Sequence, residues 1–149
     1  MTATSTDRPL VLLLSGPNLN LLGQREPAVY GTATLADHVA TASAAAEGHG
    51  LALEHLQTNF EGELVEAIHA ARGRAAAIVI NPGAFTHYAW SIHAAFGGPV
   101  GEVHLSTPTA REPWRHTSVV APVAAGTIAG FGGHGYHLAI DAVATLLIS

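Results

Sequence analysis

Short apolar segments recur along the chain and alternate with stretches of helical periodicity. They lie at residues 9–15, 51–57, 75–80, 99–105 and 126–131. The segments do not alternate between polar and apolar positions, which is typical of parallel strands buried on both faces. Strands that alternate with helices favour an α/β fold. We therefore predict a flavodoxin-like three-layer sandwich with a five-stranded parallel sheet of order 2-1-3-4-5.

Helix signals lie between and after these segments. Thr34, followed by Asp37, predicts a capping box that opens a helix over 35–48, with Gly48 ending it. Apolar residues at helical spacing predict a second helix before Gly73 and a third near the end of the chain, with Tyr136 on its apolar face. From the length, we expect a loose polar arm over 1–8 and a single domain over 9–149.

The composition excludes several classes of chemistry and partner. The chain has no cysteine, and its six basic residues are all arginines. A thiolate nucleophile and a lysine Schiff base are therefore excluded. The net charge is −5 with neutral histidines, and no basic stripe is present, so nucleic acid is not an expected partner. No apolar segment approaches the ~20 residues that span a membrane, and we expect a cytoplasmic protein.

The low content of charged residues bears on assembly. Charged residues make up 11% of the chain, against about 25% in ordinary soluble domains. So few charges cover a lone globule poorly. We therefore predict that other copies of the chain bury part of its surface in a homo-oligomer.

Polar residues of the kinds used in catalysis collect in three predicted loops, 16–33, 81–87 and 104–117. These loops follow strands one, three and four, whose carboxyl ends meet at the same edge of the sheet, where open α/β sheets bind ligands. The agreement between topology and chemistry predicts an active site at this edge. The residues concerned are Asn18, Asn20, Arg25, Tyr30, Asn81, His87, His104, Ser106, Arg111 and Arg115.

Two pairs of residues suggest proton transfer. Arg25 lies five residues before Tyr30, and a nearby guanidinium would favour the phenolate and make Tyr30 a base. Glu102 lies two residues before His104 on the same face of a strand, where it would orient the imidazole and help keep it protonated as a general acid. The alternatives are a tyrosine that only anchors its loop and a histidine that only ends its strand.

Three further motifs have a structural alternative that we prefer. The segment GFGGHG (130–135) matches the dinucleotide fingerprint, but no strand or acidic residue follows at the required distance, so a tight strand-to-helix turn is expected. His134 and His137 lack a third ligand at a useful spacing, so they are expected at a surface or interface rather than on a metal. Ser106 lacks the nucleophile-elbow motif and is expected to hold an oxyanion.

Several blocks taken together resemble the type II 3-dehydroquinate dehydratases, in order, over residues 9–147. The first block is highly specific, and the resemblance covers nearly the whole chain. The blocks are GPNLNLLGQREPAVYG (16–31), QTNFEGELVEAIHAA (57–71), INPGAFTH (80–87), EVHLS (102–106), AREPWRH (110–116), SVVAPVAAG (118–126) and GYHLA (135–139).

The resemblance implies a cofactor-free and metal-free anti elimination of water from a small anionic cyclic ketone, through an enolate. It implies that Tyr30 is the base, favoured as phenolate by Arg25, that Asn18 holds a water at the enolate oxygen, and that His104, oriented by Glu102, is the acid. The remaining implied residues bind the substrate. Asn81, Leu105 and Ser106 would hold its carboxylate, His87 and Arg115 its hydroxyls, and Arg111 belongs to the same loop.

The resemblance also implies a trimer that assembles into a dodecamer, and it shows where this chain departs from the usual pattern. Ala94 stands where the family usually has an aspartate that reaches a neighbouring subunit, and His93 where it has an arginine. Residues 107–109 read Thr-Pro-Thr in place of the usual Asn-Ile/Val-His/Tyr, and Pro113 takes a position that is often glutamate.

These departures leave alternatives open beside dehydration of 3-dehydroquinate. One is dehydration of a modified substrate, such as the amino analogue. Another is a non-catalytic homologue that binds a metabolite. A flavodoxin-like nucleotide binder is the weakest alternative because no phosphate loop fits.

Overall fold

A computed structural model of the chain describes residues 8–24 and 26–148. The predicted polar arm over 1–8 lies, apart from Arg8, outside the described residues.

The predicted sheet topology is confirmed. The five strands are all parallel and are ordered β2-β1-β3-β4-β5. The last strand is shorter than predicted because Gly130, with a φ of 94°, turns the chain out of the sheet. The strands are β1 (Leu10–Ser15), β2 (Ala52–Gln57), β3 (Ala77–Asn81), β4 (Val100–His104) and β5 (Gly126–Ala129).

Helices cover both faces of the sheet and bury two apolar clusters. One cluster joins alternate residues of β1, such as Leu13, to the helices α2 and α5, and the other joins the intervening residues, such as Leu14, to α3 and α4. The result is the predicted three-layer sandwich. The helices are α1 (Pro27–Tyr30), α2 (Leu35–Gly48), α3 (Glu61–Ala71), α4 (Trp90–Ala95) and α5 (His134–Ile148).

The two ends of α2 test the local sequence signals. The capping box is confirmed, because Thr34 Oγ1 accepts from the Asp37 N–H at 3.2 Å and Asp37 Oδ2 accepts from the Thr34 N–H at 2.9 Å. The predicted end of the helix is also confirmed, because α2 ends at Gly48. Gly48 is the last helical residue, and the residue with positive φ that follows is Gly50, at 69°.

Short 3₁₀ turns occupy parts of all three predicted site loops, at Leu19–Leu21, Gly83–His87, Pro108–Ala110 and Pro113–His116. A further 3₁₀ turn, Ala121–Val123, lies between the third loop and β5. Of the helices in the described part of the chain, none is both long enough and apolar enough to cross a membrane.

Candidate active site

A cavity of about 210 Å³ opens at the carboxyl edge of the sheet, where the sequence places the active site. Of the twelve residues that the sequence places at the site, nine line this cavity. Glu102 lies behind the wall, Asn20 lines a separate hollow, and Arg25 lies outside the described residues. The nine are Asn18, Tyr30, Asn81, His87, His104, Leu105, Ser106, Arg111 and Arg115.

The first loop starts from a close backbone contact with β3. A Cβ on Gly16 would lie 2.3 Å from the carbonyl oxygen of Pro82, so only glycine allows this approach. Asn18 then takes a left-handed conformation, with a φ of 67°, which asparagine tolerates better than most residues. Its N–H donates to Asn59 Oδ1 at 3.0 Å. These contacts hold Asn18 on the cavity wall.

Tyr30 ends the single turn α1, and its partner comes from the far side of the cavity. Arg111 Nη1 donates to Tyr30 Oη at 2.8 Å, and the guanidinium carbon lies 5.2 Å from the ring centroid. The sequence suggested Arg25 for this position and gave Arg111 no more than membership of the loop. A guanidinium at hydrogen-bond distance stabilises a phenolate by charge.

His104 ends β4 and is held from behind by a buried carboxylate. Its Nε2 lies 2.6 Å from Glu102 Oε2; because a carboxylate only accepts, this nitrogen carries a proton. Ser118 donates to Oε2 at 2.9 Å, and Thr127 donates to Oε1 at 3.3 Å. The roles of Ser118 and Thr127 could not be predicted from the sequence, because neither residue adjoins β4 in the chain.

Asn81 ends β3 and is fixed by contacts at both ends of its amide. Nδ2 donates to Tyr136 Oη at 3.1 Å, and Oδ1 accepts from the Gly83 N–H at 3.3 Å. Tyr136 is fully buried, and burial raises the pKa of its hydroxyl to about 12. The sequence pattern assigned Tyr136 to the apolar face of the last helix and gave no signal of this polar contact.

The opposite wall carries His87 and Arg115, with Trp114 between them. His87 Nδ1 donates to the Thr117 carbonyl at 2.7 Å, and burial lowers the pKa of the ring. Arg115 lies 4.0 Å from the centroid of the Trp114 ring, and its Nε donates to Glu112. His87 also meets Trp114 edge-on at 5.3 Å. The side chains of this wall are thus fixed by one another.

The charge of the cavity favours an anion. Two arginines line it, and no described lining residue is acidic. Ser106 Oγ accepts a long hydrogen bond of 3.4 Å from Arg111, which leaves the serine in contact with a cation rather than with a base. Of the departures from the family pattern, Pro108 lines the cavity, whereas Ala94 is exposed on α4.

The glycine-rich segment near the end of the chain forms the predicted strand-to-helix turn. The segment 130–133 is the turn between β5 and α5, and a Cβ on Gly133 would lie 2.3 Å from the buried ring of His38. His134 and His137 stack on each other, and His137 pairs with Asp141. Among the described residues, no group of three or more metal-ligating side chains is arranged to hold an ion.

Comparison with known proteins agrees with this geometry. The family model for class II dehydroquinases matches residues 9–144. A 3-dehydroquinate dehydratase of Pseudomonas putida is 54% identical over 143 residues, which are 94% of this chain and 96% of that relative. A catabolic 3-dehydroquinase of Aspergillus terreus is 53% identical over 90% of each chain. The crystal structure of the type II dehydroquinase from Propionibacterium acnes superposes with a TM-score of 0.86, at 44% identity, over 91% of this chain and 96% of that one.

The protein is a parallel α/β fold whose cavity, lined by two arginines, holds the phenol of Tyr30 and the imidazole of His104, which is hydrogen-bonded to Glu102. The chain belongs to the class II dehydroquinase family.

Proposed function

We propose that this chain is a type II 3-dehydroquinate dehydratase, a hydro-lyase that removes water from 3-dehydroquinate to give 3-dehydroshikimate. The observation that carries the proposal is that Tyr30 and His104 line the same cavity, each with its own partner, Arg111 and Glu102. Relatives that are 50–54% identical over most of their length and carry this name support it.

The first half of the reaction removes a proton. Tyr30, as phenolate, takes the hydrogen from the carbon next to the ketone, and the electron pair moves onto the ketone oxygen. Arg111 stabilises the phenolate, and Arg25, which belongs to the same loop as Tyr30, adds a second positive charge. Asn18 holds a water that donates to the enolate oxygen. Oriented donors of this kind stabilise the charge where it develops.

The second half expels the hydroxyl. The enolate collapses, the carbon–oxygen bond β to the ketone breaks, and His104 protonates the departing oxygen so that it leaves as water. Because Nε2 is engaged with Glu102, Nδ1 is the nitrogen available for this transfer. A positioned acid or base typically contributes about 10²–10⁴-fold to the rate.

The remaining wall residues bind the substrate. The amide of Asn81, the hydroxyl of Ser106 and the backbone N–H groups of Leu105 and Ser106 hold the carboxylate. His87 and Arg115 hold the ring hydroxyls. The Nδ1 of His87 is committed to Thr117, and burial keeps the pKa of the ring low, so Nε2 is an acceptor for a hydroxyl proton.

A direct assay tests the proposal. Purified protein is mixed with 3-dehydroquinate, and the absorbance of the conjugated enone product is followed. We expect turnover by the wild type, loss of it in Tyr30→Phe, which keeps the ring, and wild-type turnover in Tyr88→Phe, an exposed tyrosine outside the cavity. No enone from the wild type at saturating substrate would favour a homologue that only binds a metabolite.

A modified ketone is the second candidate substrate. Pro108 forms part of the cavity wall, in the stretch where the chain departs from the usual family pattern. Kinetics with the amino analogue beside 3-dehydroquinate separate the two, and a higher kcat/KM for the amino compound would replace our first choice.

Assembly and location belong to the same proposal. We propose a homo-oligomer built of trimers, up to a dodecamer, without nucleic-acid or membrane partners, working in the cytoplasm. Four large side chains of the site edge and its surroundings, Phe60, Tyr88, Trp90 and Trp114, are each more than half exposed in the single chain, which supports burial by other copies. Native mass spectrometry tests the assembly, and a monomer at micromolar concentration would contradict it.

A further inference from the structure

A buried chain of polar side chains runs beneath the cavity to the edge strand β2. Asn81 Nδ2 donates to Tyr136 Oη at 3.1 Å, the Ser15 hydroxyl interacts with the same tyrosine and lowers its pKa, and Ser15 Oγ lies 3.0 Å from His55 Nε2. Tyr136 and Ser15 are fully buried, and Asn81 is 3% exposed. Only Asn81 reaches the cavity. The packing of the core needs the ring of Tyr136, which stacks on His38, but it does not need the hydroxyl.

The hydroxyl of Tyr136 stays protonated in this setting. Burial raises its pKa to about 12, although side-chain hydrogen bonds with Asn81 and Ser15 oppose that shift. The neutral hydroxyl oxygen accepts from the amide of Asn81 at 3.1 Å. Tyr136 therefore offers Asn81 a buried acceptor whose charge does not change at neutral pH.

We propose that Tyr136 is a positioning residue that acts through Asn81. Its buried hydroxyl oxygen accepts one Nδ2 hydrogen of Asn81, while the Gly83 N–H donates to Oδ1. These two contacts prevent a flip of the amide, and the second Nδ2 hydrogen is presented to the carboxylate of the substrate. This inference rests on the proposed function of the same site.

The substitution Tyr136→Phe tests it. Phenylalanine keeps the ring and its stacking on His38 but frees the amide of Asn81. Contact with the carboxylate is made equally before and during the reaction, so we expect KM for 3-dehydroquinate to rise about tenfold, with kcat within about threefold of the wild type. Ser15→Ala, a milder change that removes the side-chain hydroxyl next to Tyr136, should raise KM by about threefold on the same reasoning.

A double-mutant cycle separates positioning from general damage. Asn81→Ala should raise KM by itself, and adding Tyr136→Phe should raise it no further, because the amide is already gone. Thr58→Val is the matched control: it removes another buried hydroxyl, which accepts from the Phe60 N–H away from the cavity, and should lower Tm without moving KM.

Each outcome decides one question. If the wild type forms no enone, the proposed function fails and the inference fails with it. If the wild type is active and Tyr136→Phe keeps the wild-type KM, or if its effect adds fully to that of Asn81→Ala, the proposed function stands and the positioning role of Tyr136 is wrong.

Discussion

The contact between Arg111 and Tyr30 predicts that Tyr30 depends on this arginine to act as a base. Arg111→Met should lower kcat about 10- to 100-fold, because a charge-assisted hydrogen bond to the phenolate is lost. Arg111→Lys keeps the charge but loses the planar, two-pronged guanidinium, so its kcat should lie between those of the wild type and Arg111→Met. Steady-state kinetics measure both variants. A wild-type kcat in Arg111→Met would mean that the tyrosine does not depend on this arginine.

The buried carboxylate of Glu102, next to His104, is expected to contribute to kcat through its charge. Glu102→Gln keeps the shape but replaces the negatively charged acceptor of the His104 Nε2–H by a neutral amide, so kcat should fall about 100-fold. Ser118→Ala removes only one hydrogen bond to the carboxylate and should have a much smaller effect. The measurement is kcat, with Tm as a check on folding. If both variants lost activity equally, packing rather than charge would explain the loss.

At the residue scale, sequence reasoning found local relations and missed distant ones. Glu102 and His104 share a strand face two residues apart, so their proximity follows from strand geometry. Tyr30 and Arg111 are 81 residues apart, and their contact depends on how two loops cross the sheet edge. Tyr136 could not be found from the pattern, because an aromatic residue at helical spacing looks the same whether or not its hydroxyl has a polar partner.

At the scale of elements, α2 offers a direct test of the sequence signal that starts it. Thr34→Ala should lower the free energy of unfolding by about 1 kcal/mol, or about 2–4 °C in Tm for a chain of this size. Ser43→Ala, an exposed change within the same helix, should be neutral or slightly stabilising. Thermal denaturation compares them. An equal Tm for Thr34→Ala and the wild type would show that the cap contributes nothing measurable.

The short helix α1 could not be predicted from the sequence pattern. It is a single turn of four residues that begins with Pro27 at its first position, where the missing N–H costs nothing. Four residues are too few to show helical periodicity, so the sequence pattern predicts only a loop in this part of the chain. The turn is nevertheless what places Tyr30 on the cavity wall.

At the scale of the whole molecule, the strand order could be predicted because few arrangements satisfy the rules. Fully apolar strands must be buried on both faces, and right-handed crossovers then leave a small set of topologies. The order chosen among these is confirmed. The placement of the three polar loops at one edge follows from the same order, and so does the position of the cavity. The exact strand ends do not, since they depend on turns such as the one at Gly130.

One buried histidine, His38, and two partly buried ones, His55 and His87, predict how the stability of the chain responds to acid. Burial lowers the pKa of His38, His55 and His87 below 6.5, so below about pH 6.5 the unfolded chain binds more protons than the folded one. Stability should therefore be greater at pH 7.5 than at pH 5.5, a range in which the carboxyls of Asp37 and Glu112, whose pKa values are lowered by hydrogen bonds, stay charged.

The substitution His38→Phe assigns part of this acid sensitivity to one residue. His38 stacks on Tyr136 at 5.2 Å, and its buried Nε2 has no hydrogen-bond partner among the described residues. Phenylalanine keeps the stacking and cannot take up a proton, so the drop in Tm between pH 7.5 and pH 5.5 should be smaller in the variant. His116→Gln, which removes an exposed histidine, should keep the full drop. If His38→Phe lost as much Tm as the wild type on acidification, His38 would not be a source of the acid sensitivity.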